Sequence, residues 1–103
     1  MWKKQNGSTM IGPIHVEWIF DVDGGVTLVA DYDLIGIVRD DSLGRRGETK
    51  WNVKAGTFSS IGVIKLQDEN GEMSLHGKVS WHIPGETSEW EGVVATWKAV
   101  KLV

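Results

Sequence analysis

Residues Glu72 to Ile83, EMSLHGKVSWHI, decide the fold class. Met73, Leu75, Gly77, Val79, Trp81 and Ile83 hold the odd positions, and Glu72, Ser74, His76, Lys78, Ser80 and His82 the even ones. Successive side chains on an extended backbone point to opposite sides, so the segment has one dry face and one wet face. No helical period reproduces this order. An antiparallel sheet buried on one side accepts such a strand.

The flanks extend the pattern in both directions. Asp68-Glu69-Asn70-Gly71 is turn chemistry, and Phe58 to Gln67 reads as the partner strand. Facing is the same whether the loop takes Asn70-Gly71 or all four residues; in the four-residue register Leu66 meets Met73. Glu48 to Ala55 alternates again, with Thr49, Trp51, Val53 and Ala55 inward. After Pro84-Gly85-Glu86-Thr87 the last strand runs from Ser88 to Val103. Lys98 in mid-strand argues that Val93, Ala95, Trp97 and Ala99 face the core, leaving Trp90, Val94 and Val100 outside.

Ile14 to Val22 and Val26 to Tyr32 form an opening hairpin. A three-residue loop, Asp23-Gly24-Gly25, pairs Val22 with Val26, Phe20 with Leu28 and Trp18 with Ala30, all on one face. Between Asp33 and Asp40 the apolar residues fall on both sides of Gly36, which marks a bulge or bend. Asp41 to Gly47 reads as the longest polar connection. Residues 1–13 are expected to be a flexible N-terminal arm, and residues 14–103 a single all-β domain. The architecture that follows is an antiparallel up-and-down meander of six to eight strands closing into a small barrel, with a two-layer β-sandwich as the alternative.

A chain of 103 residues with no cysteine excludes disulfides, thiolate metal sites and cysteine nucleophiles. A net charge of −3 offers no general attraction for nucleic acid or acidic lipid. No apolar run follows Lys3-Lys4, so neither a signal peptide nor a membrane span is read and a cytoplasmic protein is expected. Charge is nonetheless uneven. Glu17 to Asp41 carries seven acids against Arg39, a net −6, whereas Ser42 to Leu66 carries five bases against Glu48, a net +4. Neighbouring strands, or two subunits meeting, would use that contrast.

Two sets of residues carry candidate chemistry. The hairpin register above places Glu17 opposite Asp31 and His15 opposite Asp33 on the polar face. Facing carboxylates share a proton, bind a cation or stand in water, so His15, Glu17, Asp31 and Asp33 are candidates for acid–base work of isomerase or lyase type, with or without a hard metal. Asp21-Val22-Asp23-Gly24 resembles the start of a calcium loop but lacks its later ligands, and reads as a turn. His76 and His82, six residues apart on one strand, are too distant to share a metal. Arg45-Arg46 stands between two glycines as a solvated turn or an anion grip. No cofactor and no specific metal site are implied.

The second set is aromatic. Trp18, Phe20, Tyr32, Trp51, Trp81 and Trp97 all face one side, either filling a core or walling a site for a small hydrophobic ligand. The outward apolar residues Ile35, Ile37, Ile61, Val63, Val94 and Val100 exceed what a monomer usually shows, so a homodimer or larger assembly is expected.

Trp18-Ile19-Phe20 followed by Asp23-Gly24, and Glu91-Gly92 through Thr96-Trp97-Lys98-Ala99, resemble the opening hairpin and closing strand of small lipocalin-like (calycin-type) barrels. The resemblance implies an internal site for a small hydrophobic ligand, with Trp18 near the barrel base. It implies no catalytic residues.

Overall fold

The computed structural model describes residues 1–44 and 46–102. The chain forms eight strands: β1 Gln5–Ile11, β2 Ile14–Phe20, β3 Val26–Tyr32, β4 Gly36–Gly44, β5 Glu48–Ala55, β6 Phe58–Glu69, β7 Glu72–Ile83 and β8 Glu86–Lys98. They make two antiparallel meanders, β1-β2-β3-β4 and β5-β6-β7-β8. The decisive stretch is β7 from end to end, and its odd residues from Met73 to Trp81 are buried or at the core. Strands β6, β7 and β8 have 12 or 13 residues, about 40 Å at strand rise, which draws the molecule out to 51 × 21 × 18 Å.

The sheets pack face to face, as the sandwich alternative has it. Among the described residues no ladder joins β4 to β5, and β1 meets β8 only near the chain ends. There Trp2 bridges Lys101, Lys3 N donates to Val100 O at 2.8 Å, and Leu102 N donates to Met1 O at 2.8 Å. The far seam is held by side chains. Arg39 Nε donates to Thr49 Oγ1 at 2.8 Å and its guanidinium meets Asp41 at 2.9 Å.

The Thr49 hydroxyl, buried at 1 % exposure, and then the Arg39 guanidinium hold the Asp41 carboxyl below its ordinary 3.8. A carboxyl with a depressed folded value adds stability that is complete above the unfolded value and lost as pH falls through the folded one. Asp41→Asn is therefore expected to melt a few degrees below the wild type at neutral pH. Thermal scans from neutral to strongly acid pH should show that gap closing below the ordinary carboxyl value. A gap that stays constant with pH would disprove the linkage.

Three expectations need correction. Residues 1–13 are not simply a loose arm, because Gln5 to Ile11 pairs with β2 along its length. Alternating Gly7, Thr9 and Ile11 supply the inward face, and a Cβ at Gly7 would come within 2.8 Å of Trp18 Nε1. Asp41 to Gly44 belongs to β4 and not to a connection; Leu43 is buried at 7 % exposure. In β8 the facing changes phase. The ladder shifts between Leu75–Ala95 and His76–Val93, leaving Val94 as an extra residue. Ala95, Trp97 and Ala99 face the core as expected, whereas upstream Trp90 and Val94 pack against it and Val93 is 51 % exposed. A single inserted residue exchanges the two faces of a strand.

Both hairpin loops illustrate how turn geometry sets register. Asp21 N donates to Gly25 O at 2.9 Å and Gly24 N to Asp21 O at 2.9 Å, so the opening loop is Val22-Asp23-Gly24. Gly24 takes the positive φ of 87°, and Asp23 Oδ1 accepts Gly25 N at 2.8 Å. The aspartates thus serve their own turn. The resulting pairs are Phe20 with Val26, Trp18 with Leu28 and Val16 with Ala30, a two-residue displacement that preserves facing. At the other hairpin Asn70 and Gly71, at φ 56° and 86°, form a two-residue loop and Leu66 pairs with Leu75.

Candidate functional site

The displaced register rewrites the acidic cluster. Glu17 now faces Val29, and His15 faces Asp31 where Asp33 was expected. His15 Nδ1 lies 3.4 Å from Asp31 Oδ2 and 3.8 Å from Glu17 Oε1, on the open outer face of the first sheet. Asp33 stands apart in the exposed β3–β4 turn. The facing carboxylate pair therefore does not form. What remains is an imidazole between two carboxylates, and no grouping of three or more such side chains among the described residues could hold a metal ion. His76 and His82 sit on the outer face of β7, where His82 Nδ1 is 2.6 Å from Thr87 Oγ1. Arg45 lies outside the described residues.

The aromatic candidates all face inward, and they pack on one another. Trp18, Phe20, Trp51, Trp81 and Trp97 are buried, and Tyr32 is half-buried. Trp18 stacks on Trp97 with ring centres 4.3 Å apart, Phe20 tilts against Trp97 at 5.7 Å, and Tyr32 stacks on Phe58 at 4.6 Å. Trp51 lies flat on Gly62, with its Nε1 donating to Ser60 Oγ at 3.0 Å. Trp81 covers Gly12 and donates to Glu86 at 3.0 Å. Glycine is what lets each ring approach the backbone this closely.

Open volume occurs on the outer face of the second sheet. A groove of about 770 Å³ crosses its strands. Lys50 and Asn52 of β5, Ile61 and Val63 of β6, and Lys78 and Ser80 of β7 line it, with Glu48, Lys65 and Glu89 at the rim. A smaller space of about 310 Å³ continues past Lys78 toward His76 and Glu91. The larger volume falls in the range of about 300–1,000 Å³ that small-molecule sites occupy. Ile61 is 58 % exposed at the centre, and Trp51 backs the floor from beneath Gly62.

The groove exists because β6 breaks the usual rule for a wet face. Its outward positions read Ser59, Ile61, Val63, Lys65, so two branched apolar residues lie on the outer face, Val63 between Lys50 and Lys78 and Ile61 between Asn52 and Ser80. The single outward strip expected of Ile35, Ile37, Ile61, Val63, Val94 and Val100 does not form. Ile37 lies on the first sheet and Ile61 and Val63 on the opposite side of the sandwich, while Val94 turns inward.

The fold defines the chain as a two-layer antiparallel β-sandwich built from two consecutive four-stranded meanders. No family model, no curated protein and no solved structure matches it.

Proposed function

We propose that the protein is a binding module whose recognition surface is the groove on the outer face of β5–β8, taking a small, largely hydrophobic molecule. The observation that carries this reading is an apolar floor, Ile61 and Val63, inside an open volume of about 770 Å³ ringed by a few polar groups. Most small-molecule sites combine such a floor with sparse orienting polar atoms. A lipocalin-like interior site at Trp18 is the competing placement, and the Trp18–Trp97 stack at 4.3 Å argues for the outer groove. Acid–base catalysis at His15 has less support, since that imidazole and its carboxylates lie on an open sheet face.

Titration with 1-anilinonaphthalene-8-sulfonate tests the placement. Dye emission is expected to saturate at one site per chain. Ile61→Asp, at a residue already 58 % exposed, should weaken binding about tenfold or more by charging the floor. Absence of saturable binding, or equal affinity in the variant, would remove the groove as the site.

A further inference from the structure

The pairing registers set one valine between two like charges on each outer face of the sandwich. On the first sheet Val29 lies across from Glu17 on β2 and from Asp40 on β4. On the second, Val63 lies across from Lys50 on β5 and from Lys78 on β7. Adjacent strands are about 4.8 Å apart, so each like-charged pair spans about 10 Å. The two spans agree because the same backbone ladder sets both.

The acidic row meets no lysine or arginine on its own face, and the basic row is neutralised only in part. Glu17 reaches only His15, at 3.8 Å, and Asp40 and Lys78 have no ion-pair partner among the described residues. Lys50 shares Glu48 with Lys65, at 3.5 and 3.9 Å. The outward positions of β1–β4 hold Glu17, Asp31 and Asp40 but no lysine or arginine, because Arg39 pairs with inward Ala30 and reaches the seam at Thr49. Apolar surface accompanies both rows. Met10, Ile19 and Ile37 are 59 %, 39 % and 65 % exposed on the first sheet, against 58 % for Ile61 on the second. These side chains give each face apolar area to bury in a contact.

We infer that a second copy of this chain is the partner: the outer face of its first sheet docks on the groove face of the second sheet, Glu17–Val29–Asp40 against Lys50–Val63–Lys78. This rests on the groove being the recognition surface and names a protein occupant for it. The two faces lie on opposite sides of the sandwich, so the contact is head-to-tail. It leaves one free face of each kind and generates chains or rings, not a two-fold dimer. Glu89 and Glu91, across from Ser80 and Lys78, confine the positive strip to β5–β7 and repel an acidic row that slides toward β8. The inference also accounts for the charge contrast along the sequence, since the acidic stretch builds one face and the basic stretch much of the other.

A charge-swap experiment decides it. Variant one carries Glu17→Lys and Asp40→Lys, and variant two carries Lys50→Glu and Lys78→Glu. All four positions are exposed, and circular dichroism melting checks that each variant folds. By light scattering from about 1 µM to about 1 mM, the wild type is expected to grow beyond a dimer, and to revert to monomer near 1 M salt, where screening acts within about 3 Å. Each variant alone should stay monomeric. An equimolar mixture should assemble again, because every face then meets its opposite. The neutral pair Glu17→Gln with Asp40→Asn should weaken assembly, and mixed with variant two it should stop at a one-to-one pair joined through variant two's acidic face and the neutral variant's Lys50 and Lys78.

A monomeric wild type, a variant that associates alone as the wild type does, or a mixture that stays monomeric would each overturn the inference. The dye titration at low protein concentration reads the groove separately. Dye binding lost in Ile61→Asp with a monomeric wild type sinks the self-docking alone, and assembly without dye binding sinks the small-molecule site alone.

Discussion

Trp18→Ala is expected to lower stability by about 3–5 kcal/mol, a large part of the roughly 5–15 kcal/mol that holds a domain together. The indole is 8 % exposed and stacked on Trp97 at 4.3 Å, and its edge rests on Gly7 across the β1–β2 ladder. Truncation removes the buried area, the ring–ring contact of about 0.5–1.5 kcal/mol, and the cover over a glycine that offers no side chain of its own. In a domain of this size the melting temperature should drop by on the order of 20 °C. Ile19→Ser, on the other side of the same strand at 39 % exposure, should change it by no more than a degree or two. The comparison also separates core from cavity. If Trp18 walled a ligand chamber, its loss would cost affinity and little stability. Melting of Trp18→Ala within a few degrees of the wild type would return the binding site to the interior.

Gly62→Ala is the second large effect, and its sign runs against strand propensity. Glycine inside a strand is ordinarily unfavourable, so alanine should help. Here a Cβ at residue 62 would overlap the Trp51 ring. That ring has little freedom to yield, being 5 % exposed and tied through Nε1 to Ser60 Oγ at 3.0 Å, whose hydroxyl in turn donates to Ser80 O at 2.8 Å. Overpacking of this kind costs about 1–3 kcal/mol. With Trp51→Leu in the background the overlap is gone, and the same alanine should become neutral or stabilising. Denaturant midpoints of the four proteins give the coupling, expected at on the order of 1–3 kcal/mol. Equal losses in both backgrounds would mean that the glycine is needed for something other than the indole above it.

The strand inventory of the second sheet was legible because alternation is a local property. Each of β5, β6 and β7 states its own buried face in a dozen residues or fewer, and the positions of β5 and β7 follow directly. Strand β1 was missed because its inward side carries Gly7 and Thr9, which register as polar or small in a sequence although Trp18 fills the space above the glycine. Strand β8 was half right for a related reason. Its two alternations are each regular, and only the ladder opposite Leu75 and His76 reveals the extra residue between them.

The candidate sites divide in the same way. That six aromatic residues share the interior could be read from facing alone. Whether they enclose space or fill it depends on rings contributed by separate strands, such as Trp18 of β2 and Trp97 of β8, 79 positions apart in the chain. The acidic cluster turned on two residues of register. Moving the three-residue loop from Asp23-Gly24-Gly25 to Val22-Asp23-Gly24 kept every side chain on its expected side yet changed every partner, so His15 gained Asp31 and Glu17 lost it.

By itself, then, the order of residues determined the all-β class, the dry side of most strands and the uneven charge, since each depends on neighbours one or two positions away. Only the tertiary structure decided that two sheets share a layer of aromatic rings stacked on one another, and that lysines and isolated apolar side chains surround an open groove outside it. Those features rest on cross-strand register and on packing between sheets, where a shift of one residue in a turn or bulge selects which side chains meet.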